Sequence, residues 1–456
     1  MLFSSLEFLY LFLPLSVALY FALPQRFRNL ALLCESLIFY VYGEIRLLGV
    51  MLGVMALNFT AGLIISRGRA KKATLITCVS LDVAILAFFK YTDFFLENIG
   101  AKPLGIILPL GISFYIFQAM SYVIDVYKGA VAQKSAISFG AYITMFPQLV
   151  AGPIVRYGEV ERELSERRTR ISDVSEGLKM FAVGLGKKAL LANGAGNMRN
   201  IFLSSGEGYI SLVGRWLALI LFAFQIYYDF GGYSDMAVGL GRIFGFHFPR
   251  NFDYPYISKS VTEFWRRWHI TLSTWFREYV YIPLGGNRCS RGRMYLNLFI
   301  TWLLTGIWHG AEWCFVVWGL YFFFLLVLEK AFWGRILKRL PASIQRIYAL
   351  LAILFGWFIF TFEGGVGIAE LGYLFGIGVD SFADGFALYE LLRWWVWIAI
   401  MAIGATPIPK RLWIRLKTDL PKLCEAIEAV AATACIFLCT ARLCADSYNP
   451  FLYFRF

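Results

Sequence analysis

The chain has three histidines, His247, His269 and His309. His309 lies in "TWLLTGIWHGAEWCFVVWGL", deep in apolar sequence. A titratable side chain is costly in such a setting, so it marks a functional site by default. An imidazole, with an ordinary pKa of about 6.5, accepts a proton near neutral pH and can serve as a general base. The competing reading is a ring that only bonds to a neighbouring helix. If the segment is helical, Thr305 and Trp313 lie one turn either side of His309 and Glu312 three residues on, so Thr305 or Glu312 could orient the ring. His269 closes "EFWRRWH" and reads as an interfacial residue. His247, in "GFHFPRNF", reads as a surface or packing residue.

The stretch from Arg242 to Arg293 surrounds two of these histidines. It holds nine Lys or Arg against three acids, Asp253, Glu263 and Glu278, so its field is strongly positive. It is also crowded with aromatics, among them Phe252, Trp265, Trp268, Trp275 and Tyr281. Two short amphipathic helices, cut by Pro255 and Pro283, would suit a membrane interface. The plain reading is a basic loop with an aromatic belt. The functional reading has cations such as Arg266 and Arg267, beside Trp268, meeting the phosphates of a cytoplasmic donor, since a guanidinium donates two hydrogen bonds at once. Both can hold together.

These residues need elements to position them, and composition says what kind. Of 456 residues, 59% are hydrophobic and 16% charged. An ordinary soluble domain carries about 25% charged residues, and a soluble protein of this length cannot hide so much apolar surface. The apolar residues also come in blocks of roughly 20, the length of a bilayer-spanning helix. The formal net charge is +13, with the basic residues mostly between apolar blocks. That pattern fits cytoplasmic loops facing anionic headgroups rather than nucleic acid, for which no motif is present. The eight cysteines form no CxxC pair and sit mostly in apolar blocks, so they read as apolar fillers and no metal site is expected.

The first block, Leu6 to Leu23, has its cations after it, at Arg26 and Arg28. It reads as a retained helix with its N-terminus outside, not a cleaved signal peptide. The basic loop Arg67, Arg69, Lys71, Lys72 then falls in the cytoplasm after three crossings. The block Ala136 to Pro153 contains Pro147, Gly152 and Pro153 and is expected to be broken or re-entrant. The charged stretch Arg156 to Lys179 should form interfacial helices. The expected fold is an all-α polytopic membrane protein, one domain over 1–456, with about 11 or 12 spanning or re-entrant helices by block length.

Several segments resemble the membrane-bound O-acyltransferase family, in its alginate O-acetyltransferase-like branch. They include "MLFSSLEFLYLFLP", "LPLGISFYIFQAMSYVIDVYKG", "MFPQLVAGPIVRY", "QIYYDFGGYSDMAVGLGRIFGF", "NFDYPYISKSVTEFWRRWHITLSTWFREYVYIPLGGNR", "WHG" and "NPFLYFRF". They run from the first residue to the last, and the WRRWH-to-PLGGNR block is the most specific. The resemblance implies that His309 is the family's catalytic histidine and His269 a second histidine of this branch. It also implies a catalytic core over about 105–330, in a ring of helices around a thin centre where a cytoplasmic funnel meets an outer depression. The donor would be acetyl-CoA, and the site the cytoplasmic (inner) membrane of a bacterium. The acceptor would be a surface polysaccharide such as alginate, another exopolysaccharide or cell-wall polymer, or an extracytoplasmic transferase that relays the acetyl group. One departure stands out: many relatives carry another His-Gly just after "WGL", where this chain has Phe322 and Phe323.

The chemistry of the residues agrees. A thioester is already activated, and the acceptor hydroxyl is the weak partner that needs a base as it attacks. His309 would take that proton. Asn287 and the backbone amides of "PLGG" are candidate donors to the carbonyl oxygen. Two rival readings remain: D-alanyl transfer from a carrier protein on the same fold, and a polytopic transporter whose intramembrane histidine carries protons.

Overall fold

The apolar blocks become helices because a backbone in lipid has no water to bond and must satisfy its N–H and C=O groups internally. A computed structural model describes residues 1–68, 70–150, 152–203, 210–361, 368–445 and 452. Arg69 of the basic loop, Ala151, Phe362 and the C-terminal "NPFLYFRF" apart from Leu452 lie outside the described residues. Among the described residues no strand is formed, only an isolated bridge between Ser211 and Ser381.

Among the described residues, seven helices are long and apolar enough to cross a bilayer: Leu48–Ser66, Lys71–Asn98, Leu212–Ile243, Trp313–Leu337, Ala342–Phe360, Gly385–Gly404 and Pro421–Ala445. The protein is therefore an all-α, multi-pass membrane protein. Block length alone counted about 11 or 12 helices that span or enter the bilayer. The other apolar blocks form shorter or more polar helices, such as Phe8–Ala22, Arg28–Gly43 and Ile112–Tyr127.

Two compact units can be described separately. The first comprises Met1–Gly184, Tyr233–Arg250 and Thr274–Pro283. Helix Ile112–Tyr127 is buried around most of its circumference, the polar Gln118 and Ser121 included. The block around Pro147 is broken, as its prolines require. Ser135 caps the first part, Ala136–Thr144, by accepting from the Ser138 amide at 3.2 Å. The chain turns at Met145, and Phe146–Leu149 follows with Pro147 in its first turn. The Phe146 amide freed by the break donates to the Ser36 hydroxyl at 3.0 Å. The charged stretch forms the helices Tyr157–Glu166 and Ile171–Gly186. Arg156 bridges Glu159 and Glu278, which ties the 274–283 segment to this unit. His247 is exposed, and its ring nitrogen and backbone amide both meet Glu163, at 2.7 and 3.0 Å.

The second unit comprises Leu185–Gly232, Asn251–Ser273 and Leu284–Phe456. Its core is aromatic: Phe264, Trp265, Trp268, Trp318, Phe322 and Trp357 pack against one another. Helices Arg291–His309 and Trp313–Leu328 cross with their backbones in contact. A Cβ on Gly306 would lie 2.4 Å from the Phe315 carbonyl, and one on Gly319 would lie 2.6 Å from that of Trp302. Small residues facing each other are the usual device for close helix packing in lipid. This crossing fixes the end of the helix that carries His309.

Candidate active site

His309 is the last residue of its helix, and Gly310 continues in extended conformation. A side chain at 310 would collide with the Phe315 ring, 2.1 Å from an added Cβ. The helix end breaks the spacing to Glu312 and Trp313, while Thr305 stays one turn before His309 in the same helix. Glu312 precedes the next helix rather than sitting one turn above His309, and the Thr305 hydroxyl donates back to the Thr301 carbonyl at 2.8 Å. The His309 ring packs against aromatic edges: Trp318 at 4.9 Å and Phe360 at 5.6 Å, both nearly perpendicular, with Trp308 at 5.1 Å.

A cavity of about 20 Å³ opens at this ring, lined also by Asp229, Phe230, Trp268, Trp318, Trp357 and Leu452. That is room for about one water molecule. An acetyl group enters only if an aromatic wall shifts. The indole N–H of Trp318, itself 1% exposed, has no hydrogen-bond partner among the described residues.

His269, read from sequence as interfacial, is 1% exposed. It packs edge-on against Phe230 at 4.7 Å, and lies 6.1 Å from Trp308, which in turn contacts His309. Its backbone is left-handed, with φ +44, a region that non-glycine residues rarely occupy and that tends to mark functional sites. Asn251 holds it there. The Asn251 carbonyl accepts from the Ile270 amide at 2.9 Å, while its side-chain Oδ1 accepts from the Thr271 amide and hydroxyl at 3.2 and 2.9 Å. The same Oδ1 lies 3.1 Å from His269 Nδ1. An oxygen already accepting from two donors fixes the tautomer: Nδ1 carries the proton, and the lone pair is on Nε2. His269 lies outside the seven spanning helices. Burial, and secondarily the charge of a protonated His309, push its pKa well below the ordinary value. It is a neutral imidazole at neutral pH.

The segment leading to His269 is anchored by two carboxylates. Ser260 caps Val261–Trp265, its hydroxyl accepting from the Glu263 amide at 3.0 Å, and the Glu263 carboxylate reaches back to accept from the Lys259 amide at 2.9 Å. Glu329, buried, accepts from the amides of Val261 and Thr262 at 2.7 and 2.9 Å and from the Thr262 hydroxyl at 2.5 Å. A carboxylate over a helix N-terminus satisfies amides that have no intrahelical partner and matches the helix dipole.

Of the residues singled out by sequence, the structure brings His309 and Trp268 together at the cavity, with His269 behind Trp308. The arginines and Asn287 do not line it. Arg266 is exposed, and Arg267 is engaged by Glu263 at 2.9 Å and Asp253 at 3.3 Å. Asn287 accepts from Lys330 at 2.5 Å on the exposed surface.

Sequence reasoning missed Asn251, Glu329, Trp318 and a buried ion pair. Lys188 Nζ lies 2.6 Å from Asp229 Oδ1, both side chains almost wholly buried, and Asp229 Oδ2 accepts from the Leu452 amide at 2.8 Å. The rule that drew attention to His309, an ionisable group inside an apolar helix, applies equally to Asp229 in "QIYYDFGGYSDM".

Comparison with known proteins points the same way. The model of the membrane-bound O-acyltransferase family (MBOAT) matches residues 92–368. The chain is 35% identical, over its full length and that of the relative, to an Azotobacter vinelandii protein named probable alginate O-acetylase AlgI. It is 39% identical to the protein so named in Pseudomonas aeruginosa, over 80% of this chain and 72% of the relative. It is 33% identical to the peptidoglycan O-acetyltransferase of Helicobacter pylori, over 73% of this chain and 71% of the relative. The chain belongs to the membrane-bound O-acyltransferase family, as an alginate O-acetylase-like acyltransferase that spans the membrane several times.

Proposed function

We propose that this enzyme moves an acetyl group from acetyl-CoA on the cytoplasmic side to a hydroxyl on the outer side of a bacterial cytoplasmic membrane. The acceptor is a surface polysaccharide, of the alginate or cell-wall type that the relatives' names describe, or a partner transferase that relays the group. The observation that carries this reading is the pair of buried histidines, His309 on a small aromatic cavity and His269 one tryptophan away.

The acceptor oxygen attacks the thioester carbonyl. As the new C–O bond forms, His309 takes the hydroxyl proton. The tetrahedral oxyanion then collapses, the C–S bond breaks, and the CoA thiolate leaves with the proton returned by the imidazolium. The Trp318 N–H is the donor at the cavity wall available to the oxyanion, in a dry setting where one such bond counts for much. His269, neutral and held in one tautomer by Asn251, supports the wall and adds no second positive charge beside His309. The exposed Arg266, outside the cavity, serves the phosphates of the donor, while Arg267 is held by Glu263 and Asp253.

The test uses purified protein in nanodiscs with radiolabelled acetyl-CoA, and in parallel with a D-alanyl-loaded carrier protein. Acetyl transfer to a soluble uronate oligosaccharide or to an added partner transferase, with release of one CoA per ester, supports the reading. Acyl transfer from the carrier protein alone overturns the donor assignment. Proton or sugar uptake into proteoliposomes, with no CoA release, overturns the enzyme mechanism.

A further inference from the structure

A second cavity lies in the same unit as His309 but belongs to no step above. It is a cleft of about 320 Å³, lined by Ala223, Phe224, Tyr256, Ile353, Leu354 and Ala402, with Thr406 at its rim. Its walls come from three helices of membrane-spanning length, Leu212–Ile243, Ala342–Phe360 and Gly385–Gly404, and from the short turn Pro255–Ile257. Apart from the Thr406 and Tyr256 hydroxyls the lining is apolar. The Tyr256 hydroxyl is already engaged, donating to the Ala223 carbonyl at 2.6 Å and accepting from Trp357 at 3.1 Å. The cleft offers a ligand apolar surface and little else.

Beyond the rim the chain has the opposite character. Thr406 leads directly into Ile408–Asp419, "IPKRLWIRLKTD". The two are tied together: the Ile408 amide donates to the Thr406 hydroxyl at 3.3 Å, and the Arg411 amide to the Pro407 carbonyl at 2.9 Å. This helix exposes apolar Ile408, Leu412 and Ile414 together with basic Lys410, Arg411 and Arg415. An exposed helix with both characters lies in the interface plane of a bilayer. Its cations are used unequally. Lys417 is taken by Glu428, at 2.8 Å, whereas no carboxylate among the described residues pairs with Lys410 or Arg411. Two unpaired cations therefore stand four and five positions beyond the rim of an apolar cleft that opens among spanning helices.

We propose that this cleft binds one acyl chain of an anionic phospholipid, with Lys410 and Arg411 holding the headgroup phosphate. The chemistry at the two ends matches the two ends of that molecule. A free phosphate would use only the cations, and a soluble apolar ligand only the cleft. The lipid uses both, and its bulk source surrounds the site.

The test is native mass spectrometry of the detergent-purified full chain, titrated with dioleoyl-phosphatidylglycerol, dioleoyl-phosphatidylcholine, or sn-glycerol 3-phosphate. One phosphatidylglycerol is expected to survive at activation energies that strip phosphatidylcholine, and glycerol phosphate should give no adduct. Ala402→Trp, which fills the cleft from an exposed helix position, should abolish the retained adduct. Lys410→Gln and Arg411→Gln, at exposed positions that leave the fold intact, should each weaken phosphatidylglycerol binding roughly fivefold. Equal retention of both lipids, or unchanged phosphatidylglycerol binding in Lys410→Gln/Arg411→Gln, would overturn the headgroup site. Full retention in a monodisperse Ala402→Trp would overturn the cleft. Neither result depends on acyl transfer, so the proposal stands or falls apart from the catalytic reading.

Discussion

The side-chain oxygen of Asn251 lies 3.1 Å from Nδ1 of His269 and accepts two further hydrogen bonds from Thr271. A single amide oxygen therefore sets both the tautomer of the imidazole and the left-handed turn on which it sits. Asn251→Ala leaves three buried groups without their acceptor, at a cost of about 1–3 kcal/mol for each uncompensated group. The variant is expected to melt several degrees lower in detergent and to transfer acetyl more slowly. Asn251→Asp, which keeps the acceptor, should recover most of the thermal stability. Equal melting temperatures for wild type and Asn251→Ala would contradict this role.

The depressed pKa of His269 makes a pH prediction. In the unfolded chain this imidazole takes a proton below about pH 6.5. In the folded protein burial keeps it neutral to a well lower pH. Below pH 6.5 the unfolded state thus binds more protons, so stability falls as pH drops and is restored above that value. Chemical denaturation between pH 7.5 and 5 should show this slope in wild type and a shallower one in His269→Gln. Parallel slopes would mean that the ring is charged, or solvated, in the folded protein.

Trp318→Phe retains a ring of similar shape against His309 and removes only the N–H. If that N–H meets the oxyanion, kcat falls by roughly 10²–10³ with KM little changed. A variant with wild-type kcat would remove Trp318 from the chemistry and leave it as packing.

The Lys188–Asp229 pair should show the asymmetry of buried ion pairs. Lys188→Met or Asp229→Leu alone leaves an uncompensated buried charge and costs about 3–5 kcal/mol, whereas the double apolar replacement costs much less. Thermal melts of the three variants read this directly. Additive losses in the double variant would show that the two charges are solvated separately.

Much of this was legible in the sequence. Apolar block length gives the all-α membrane architecture, and Pro147 marks a helix break that Ser36 repairs across the first unit. His309 announced itself through its surroundings. What the sequence hid was partnership between distant residues. Asn251 meets His269 across 18 positions and Glu329 meets Thr262 across 67, and no local periodicity connects them. The helix ends at His309, so spacing by turns still relates His309 to Thr305 but no longer to Glu312 beyond it. The arginines and Asn287 were chosen for their chemistry alone, and burial, which sequence does not report, sets them outside the cavity.

Single-turnover acetyl transfer from acetyl-CoA by purified wild type, His309→Gln and His269→Gln measures the central claim most directly. Loss of CoA release in His309→Gln, with a folded protein and donor binding retained, is the predicted result. Undiminished transfer by His309→Gln would contradict the assignment of that imidazole as the base.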